Sequence, residues 1–144
     1  MKPATNSPAS ISILFVEDDE IILGLQLALL KARFPDLVFH TAVNGRLGLD
    51  VFKAHTPDIV LTDINMSDMC GVQMSENIRS IKPDTKFIAI TGKAGELGSN
   101  EKSILRNSEG TIFEFDHVIV KPVDLSELYS VVEQCMCEIT QQGL

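Results

Sequence analysis

The sequence predicts an α/β fold: a doubly wound, five-stranded parallel sheet with helices on both faces. Three observations lead there. Short, almost continuously apolar runs recur along the chain, as strands buried on both sides of a sheet require. Stretches with helical spacing of apolar residues alternate with them. Polar or acidic residues stand just after several of the apolar runs, at the strand ends where open α/β sheets bind ligands. Right-handed crossovers then make double winding the default topology.

Residues 11–16 (ISILFV) form the first strand, and Ile21, Ile22, Leu25 and Leu29 give a helical stripe that ends before Pro35. A short strand over 37–41 follows, then a helix starting near Asn44 or Gly45 with Leu47, Val51 and Ala54 on one face. Pro57 restarts the chain into a third strand over 58–62. Met74, Ile78 and Ile81 mark the next helix, closed by Pro83, and 86–90 is the fourth strand. The last strand ends at 118–120, and the last helix carries Leu125, Leu128, Tyr129, Val132 and Met136. Asp124 and Glu127 have the spacing of a capping box at its start. Between Lys93 and His117 the glycines and polar residues weaken the pattern, and a short helix over 101–106 with an extended piece over 111–115 is expected. One domain over 11–140 results, between a flexible leader at 1–10 and a tail at 141–144.

Composition narrows the function. The chain has 144 residues, enough for one domain with a real core, and a net charge of −8. Such a balance argues against nucleic acid or an anionic membrane as a partner, since phosphate contacts need clustered Lys and Arg. No apolar run approaches the roughly 18 residues of a membrane span, and residues 1–10 lack the apolar centre of a secretory signal. A cytoplasmic protein is expected. Cys70, Cys135 and Cys137 show no disulfide spacing, and His40, His55 and His117 have no partner at ligand spacing, so all six read as ordinary side chains.

The strand ends carry the chemistry. Asp63 follows the third strand and opens a turn-like stretch that runs to Gly71. Glu17, Asp18, Asp19 and Glu20 follow the first strand, Thr91 the fourth and Lys121 the fifth. If the first and third strands are neighbours, several carboxylates meet at one point, and that arrangement calls for a cation. Each residue also has a plainer reading. Asp18, Asp19 and Glu20 can favour a helix N-terminus through its dipole, Thr91 can cap a turn with Gly92, and Lys121 can be a surface charge.

Four stretches in order, ILFVEDDE, PDIVLTDINM, IAITGKA and VIVKPVD, make the chain resemble the receiver domain of two-component response regulators from about Ser12 to Ile139. The resemblance implies a flavodoxin-like sheet with strand order 2-1-3-4-5. It also implies a signalling switch that accepts a phosphoryl group on Asp63 from a histidine kinase or phosphotransfer protein, and that acts on an output partner or domain. Asp18 and Asp63 would ligate Mg²⁺, Glu17 would act through a metal-bound water, and the backbone carbonyl of Asn65 would complete the protein ligands. Lys121 would pair with Asp63 or the phosphoryl group, and Thr91 would hydrogen-bond a phosphoryl oxygen. Lys93 could reach the same oxygens and obstruct an in-line water. Such a protein is no enzyme in the usual sense, taking part only in its own phosphorylation and dephosphorylation.

Some positions depart from the family pattern. Ser67 stands where a proline is usual, and Cys70 where an acid or amide is common. Val118 replaces the usual aromatic three residues before Lys121; Phe115 or His117 could substitute for it. The segment between Thr91 and Lys121 is longer than usual, which keeps a degenerate receiver, a phosphorylation-independent interaction module, as the alternative. A haloacid-dehalogenase-type phosphatase would need an Asp-x-Asp nucleophile after the first strand, and a flavin carrier a phosphate loop there; the chain has Glu17-Asp18-Asp19 instead.

Overall fold

The computed structural model describes residues 10–66, 68–92, 104–107 and 109–142. In chain order the first elements are β1 (Ser12–Val16), α1 (Glu20–Arg33), β2 (Val38–Ala42), α2 (Gly45–His55), β3 (Ile59–Asp63) and α3 (Gly71–Ile81). They are followed by β4 (Lys86–Thr91), β5 (Ile104–Arg106), β6 (Ile112–Glu114), β7 (His117–Val120) and α4 (Leu125–Gln142). Five strands form one all-parallel sheet in the order β2-β1-β3-β4-β7, the predicted topology with β7 as its fifth strand. The chain steps from β1 outward to β2, then returns to place β3 on the other side of β1. The crevice at the C-terminal ends of β1 and β3 is therefore the topological switch point, where such sheets bind ligands.

Period-two alternation divides the strands between two cores. Ile13, Phe15, Ile59, Leu61 and Ile119 pack with Leu30 of α1 and with Leu128 and Val132 of α4. Leu14, Val16, Val60 and Phe87 pack on the other face with Phe52 of α2 and with Met74 and Ile78 of α3. All of these side chains are buried, each stabilising the fold by about 1.5–3 kcal/mol relative to exposure.

The helix starts follow from capping. Asp19 accepts from Ile21 N and Ile22 N at 3.0 and 3.1 Å, Asn44 from Leu47 N at 2.8 Å, and Asp124 from Ser126 N at 2.8 Å. The helix faces differ from expectation. In α1 the buried residues are Leu23 and Leu30, while Ile21 and Leu25 are 83% and 63% exposed. The sequence EIILGLQLALL is apolar on nearly every side, so its spacing does not single out a face. In α2 Phe52 is buried and Leu47 exposed, and in α3 Ile81 is exposed.

The helix expected over 101–106 is corrected. Residues 104–106 are the strand β5, paired antiparallel with β6 through Leu105↔Phe113, while 101–103 lie outside the described residues. The turn between them explains the hairpin. Asn107 Oδ1 accepts from Glu109 N and Thr111 N at 3.0 and 2.8 Å, and Gly110 takes φ +87°, where L side chains are strained. Leu105 and Phe113 are buried against Phe87, whose ring meets Phe113 edge-on at 4.9 Å. Arg79 of α3 lies 4.0 Å over the Phe113 ring and donates to Glu114 O at 3.1 Å, which ties the hairpin to α3. The extended piece expected over 111–115 corresponds to β6. No helix among the described residues is long and apolar enough to cross a membrane.

Candidate functional site

Four strands deliver their C-terminal ends to the switch-point crevice. Asp63 is the last residue of β3 and only 4% exposed. Its Oδ2 accepts from Lys121 Nζ at 3.1 Å, and its Oδ1 from Ile64 N at 2.8 Å. Lys121 follows β7 and is anchored by its own N–H, which donates to Thr91 O at 2.8 Å. The Lys121–Pro122 peptide bond is cis. Thr91, the buried last residue of β4, therefore stands beside the lysine that pairs with Asp63.

Glu17 continues β1, where its N–H donates to Ala42 O at 3.1 Å, and is 2% exposed. Its Oε2 accepts from Asp19 N at 3.1 Å. Carboxylate oxygens of Glu17, Asp18 and Asp63 all lie within 4.8 Å of one another. Burial, with the charge of Asp63 adding to it, pushes the Glu17 carboxyl up to about 7, against the opposing Asp19 N–H and Lys121. Burial lowers the Lys121 ammonium, but the hydrogen bond and charge of Asp63, with Glu17 and Asp18, outweigh it and leave its pKa raised. Three crowded oxygen ligands carry more negative charge than one lysine neutralises, and such a donor set fits a hard divalent cation.

Not every acid nearby belongs to the cluster. Asp19 caps α1. Asp68 is exposed at φ 75°, a left-handed turn conformation that Asp tolerates. Asn65 lies exposed on the loop leaving β3, two residues beyond Asp63. Ser67 and Lys93 lie outside the described residues. Val118 packs half-buried on the α3 side of the sheet, and Phe115 is buried in the cluster with Phe87 and Phe113. His117 is no substitute for a ring at 118, because it is turned toward Cys135 and Glu138 of α4.

Gly71, read from the sequence only as the end of the turn-like stretch after Asp63, also positions the site. Its N–H donates to Ile64 O at 2.9 Å, and a Cβ there would come within 2.5 Å of Asp63 O and 3.0 Å of Ile64 Cα. The start of α3 thus presses against the backbone that carries Asp63. Gly71→Ala should destabilise the fold by about 1–3 kcal/mol, the usual cost of overpacking. Urea unfolding measures it, and wild-type stability in the variant would show that the loop yields freely.

Comparison with known proteins identifies the family. A family model described as response regulator receiver domain matches residues 13–133. The regulatory protein AtoC of Escherichia coli is 35% identical over 97 residues, 67% of this chain and 19% of its own length. The chain therefore spans about a fifth of that relative. A CheY-like receiver domain from Methanospirillum hungatei superposes with a TM-score of 0.75 at 26% identity, covering 93% of this chain and 99% of its own. The response regulator TrrA of Thermotoga maritima, solved in complex with Mg²⁺-BeF, gives 0.71 at 27% identity, covering 87% and 98%. The chain belongs to the response regulator receiver domains of two-component signal transduction.

Proposed function

We propose that this receiver domain is a phosphorylation-dependent switch whose phosphoacceptor is Asp63. The carrying observation is the buried Asp63 carboxylate paired with Lys121 at 3.1 Å beside the carboxylates of Glu17 and Asp18. A carboxylate oxygen of Asp63 attacks the phosphorus of a phosphohistidine on a kinase or phosphotransfer protein; the P–N bond breaks as the P–O bond forms. The Lys121 ammonium, already at the Asp63 oxygen, balances charge on the phosphoryl group. The Thr91 hydroxyl donates to a phosphoryl oxygen and draws the loop after β4 inward. That movement converts local charge into a two-state change for an output partner to read.

Asp18, Asp63, the Asn65 carbonyl and, through water, Glu17 would hold Mg²⁺, which supplies positive charge to the transferred oxygens. The Mg²⁺-BeF complex of TrrA, a relative of the same fold, supports that choice of cation. The phosphorylation-independent alternative has against it the retention of the whole set: Glu17, Asp18, Asp63, Thr91 and Lys121.

The test is incubation with Mg²⁺ and acetyl phosphate, followed by peptide mass mapping. A phosphoryl group on the peptide containing Asp63 is expected, and none after exhaustive incubation would refute the reading. Mg²⁺ should also stabilise the fold by mass action, by about 2.7 kcal/mol at a hundredfold excess over Kd, and so raise the melting temperature. Asp18→Ala should abolish that rise. An unchanged rise in the variant would remove Asp18 from the ligand set.

A further inference from the structure

At the other end of the sheet from Asp63, the N-terminal ends of β4 and β7 meet the second half of α4. His117 opens β7, while Cys135 and Glu138, three apart on α4, share one helix face. A ring nitrogen of His117, the Cys135 Sγ and a Glu138 carboxylate oxygen all lie within 4.8 Å of one another. Cys135 is fully buried, and His117 and Glu138 are half-buried, so the cluster has a closed floor and an opening to solvent. Imidazole, thiolate and carboxylate are together the ligand chemistry of zinc, which tolerates mixed nitrogen, sulfur and oxygen donors in a tetrahedral shell. The geometry points to a second metal site, in which His117, Cys135 and Glu138 hold a zinc-like divalent cation with water in the fourth position.

The surroundings suit a cation. Asp116 adjoins His117 and adds a carboxylate beside the cluster. Metal binding breaks the Cys135 S–H bond, the freed sulfur electron pair forms the metal bond, and the proton leaves to solvent. Asp116 is held by Phe87 N, which donates to its Oδ2 at 2.7 Å, so it contributes charge at a fixed position. Lys86 Nζ stands 3.4 Å from Glu138 Oε1, and Gln134 Nε2 3.4 Å from Oε2. A carboxylate offers about four lone-pair sites, so both contacts leave Glu138 able to bind. No residue is shared with the Glu17, Asp18 and Asp63 cluster, and the bound cation would pin the second half of α4 to the sheet edge.

Cobalt(II) distinguishes the two clusters, because only a thiolate ligand gives a sulfur-to-cobalt charge-transfer band in the near ultraviolet. The full chain, reduced and stripped with EDTA, should develop that band on titration with Co²⁺ and lose it when Zn²⁺ is added. Cys135→Ser should abolish the band, while a Cys70→Ser, Cys137→Ser double variant should keep it. His117→Ala should weaken Co²⁺ binding roughly tenfold or more; its half-exposed position makes it the decisive variant if Cys135→Ser does not fold. No band in the wild type, a band that survives Cys135→Ser, or unchanged affinity in His117→Ala would each overturn the proposal.

Discussion

Asp63→Asn is expected to take up no phosphoryl group from acetyl phosphate under conditions that fully modify the wild type. The amide oxygen carries no charge and is a far weaker nucleophile than the carboxylate it replaces. It also leaves Lys121 without its anionic partner at the crevice. The substitution is nearly isosteric, so the β3 end and its bond from Ile64 N can persist, and circular dichroism should show an intact fold. Removing one of three crowded carboxylates also relieves repulsion on Glu17. The metal-free variant should therefore be at least as stable as the wild type. Phosphoryl uptake at the wild-type rate would place the acceptor elsewhere.

The metal-free wild type should become more stable as pH falls from about 8 to about 5. The Glu17 carboxyl has a pKa of about 7 in the folded chain against an ordinary value of 4.5. The folded state therefore binds this proton more tightly than the unfolded one. Protonation of Glu17 adds stability as pH drops through 7, and the gain is complete below 4.5. Its size is on the order of 3 kcal/mol, at about 1.4 kcal/mol per tenfold change in proton affinity. Glu17→Gln should flatten the slope and raise stability at pH 8, and saturating Mg²⁺ should flatten it in the wild type. Denaturant midpoints measured across the pH range supply the check. The same slope in Glu17→Gln would assign the effect to another group.

Much of the architecture is legible in the chain order of residues. Strands buried on both sides must be almost continuously apolar, so 11–16 and 58–62 stand out, and the polar residues that follow them must lie at the sheet's C-terminal edge. The gathering of Glu17, Asp18, Asp63 and Lys121 in one crevice follows once the strand order is known, because parallel strands all end on the same side. Capping residues are equally local, and Asn44 and Asp124 mark their helices by short-range hydrogen bonds.

Other features depend on contacts between distant segments. The face of α1 could not be read from a helix that is apolar all round, because the sheet it docks on selects Leu23 and Leu30. Residues 104–106 are too few to show a period; Leu105 is a strand residue because Phe113 pairs with it and Phe87 and Phe115 cover both. Gly71 matters through the approach of α3 to the Asp63 backbone. Cys135 and Glu138 stand three apart on one helix, but His117 is remote from both along the chain. Their meeting is set by how α4 packs across β7, which is decided by burial of Leu128, Val132 and Cys135 against the sheet. Local spacing determines what each segment can become, while the partner surface that removes it from water determines which side it presents.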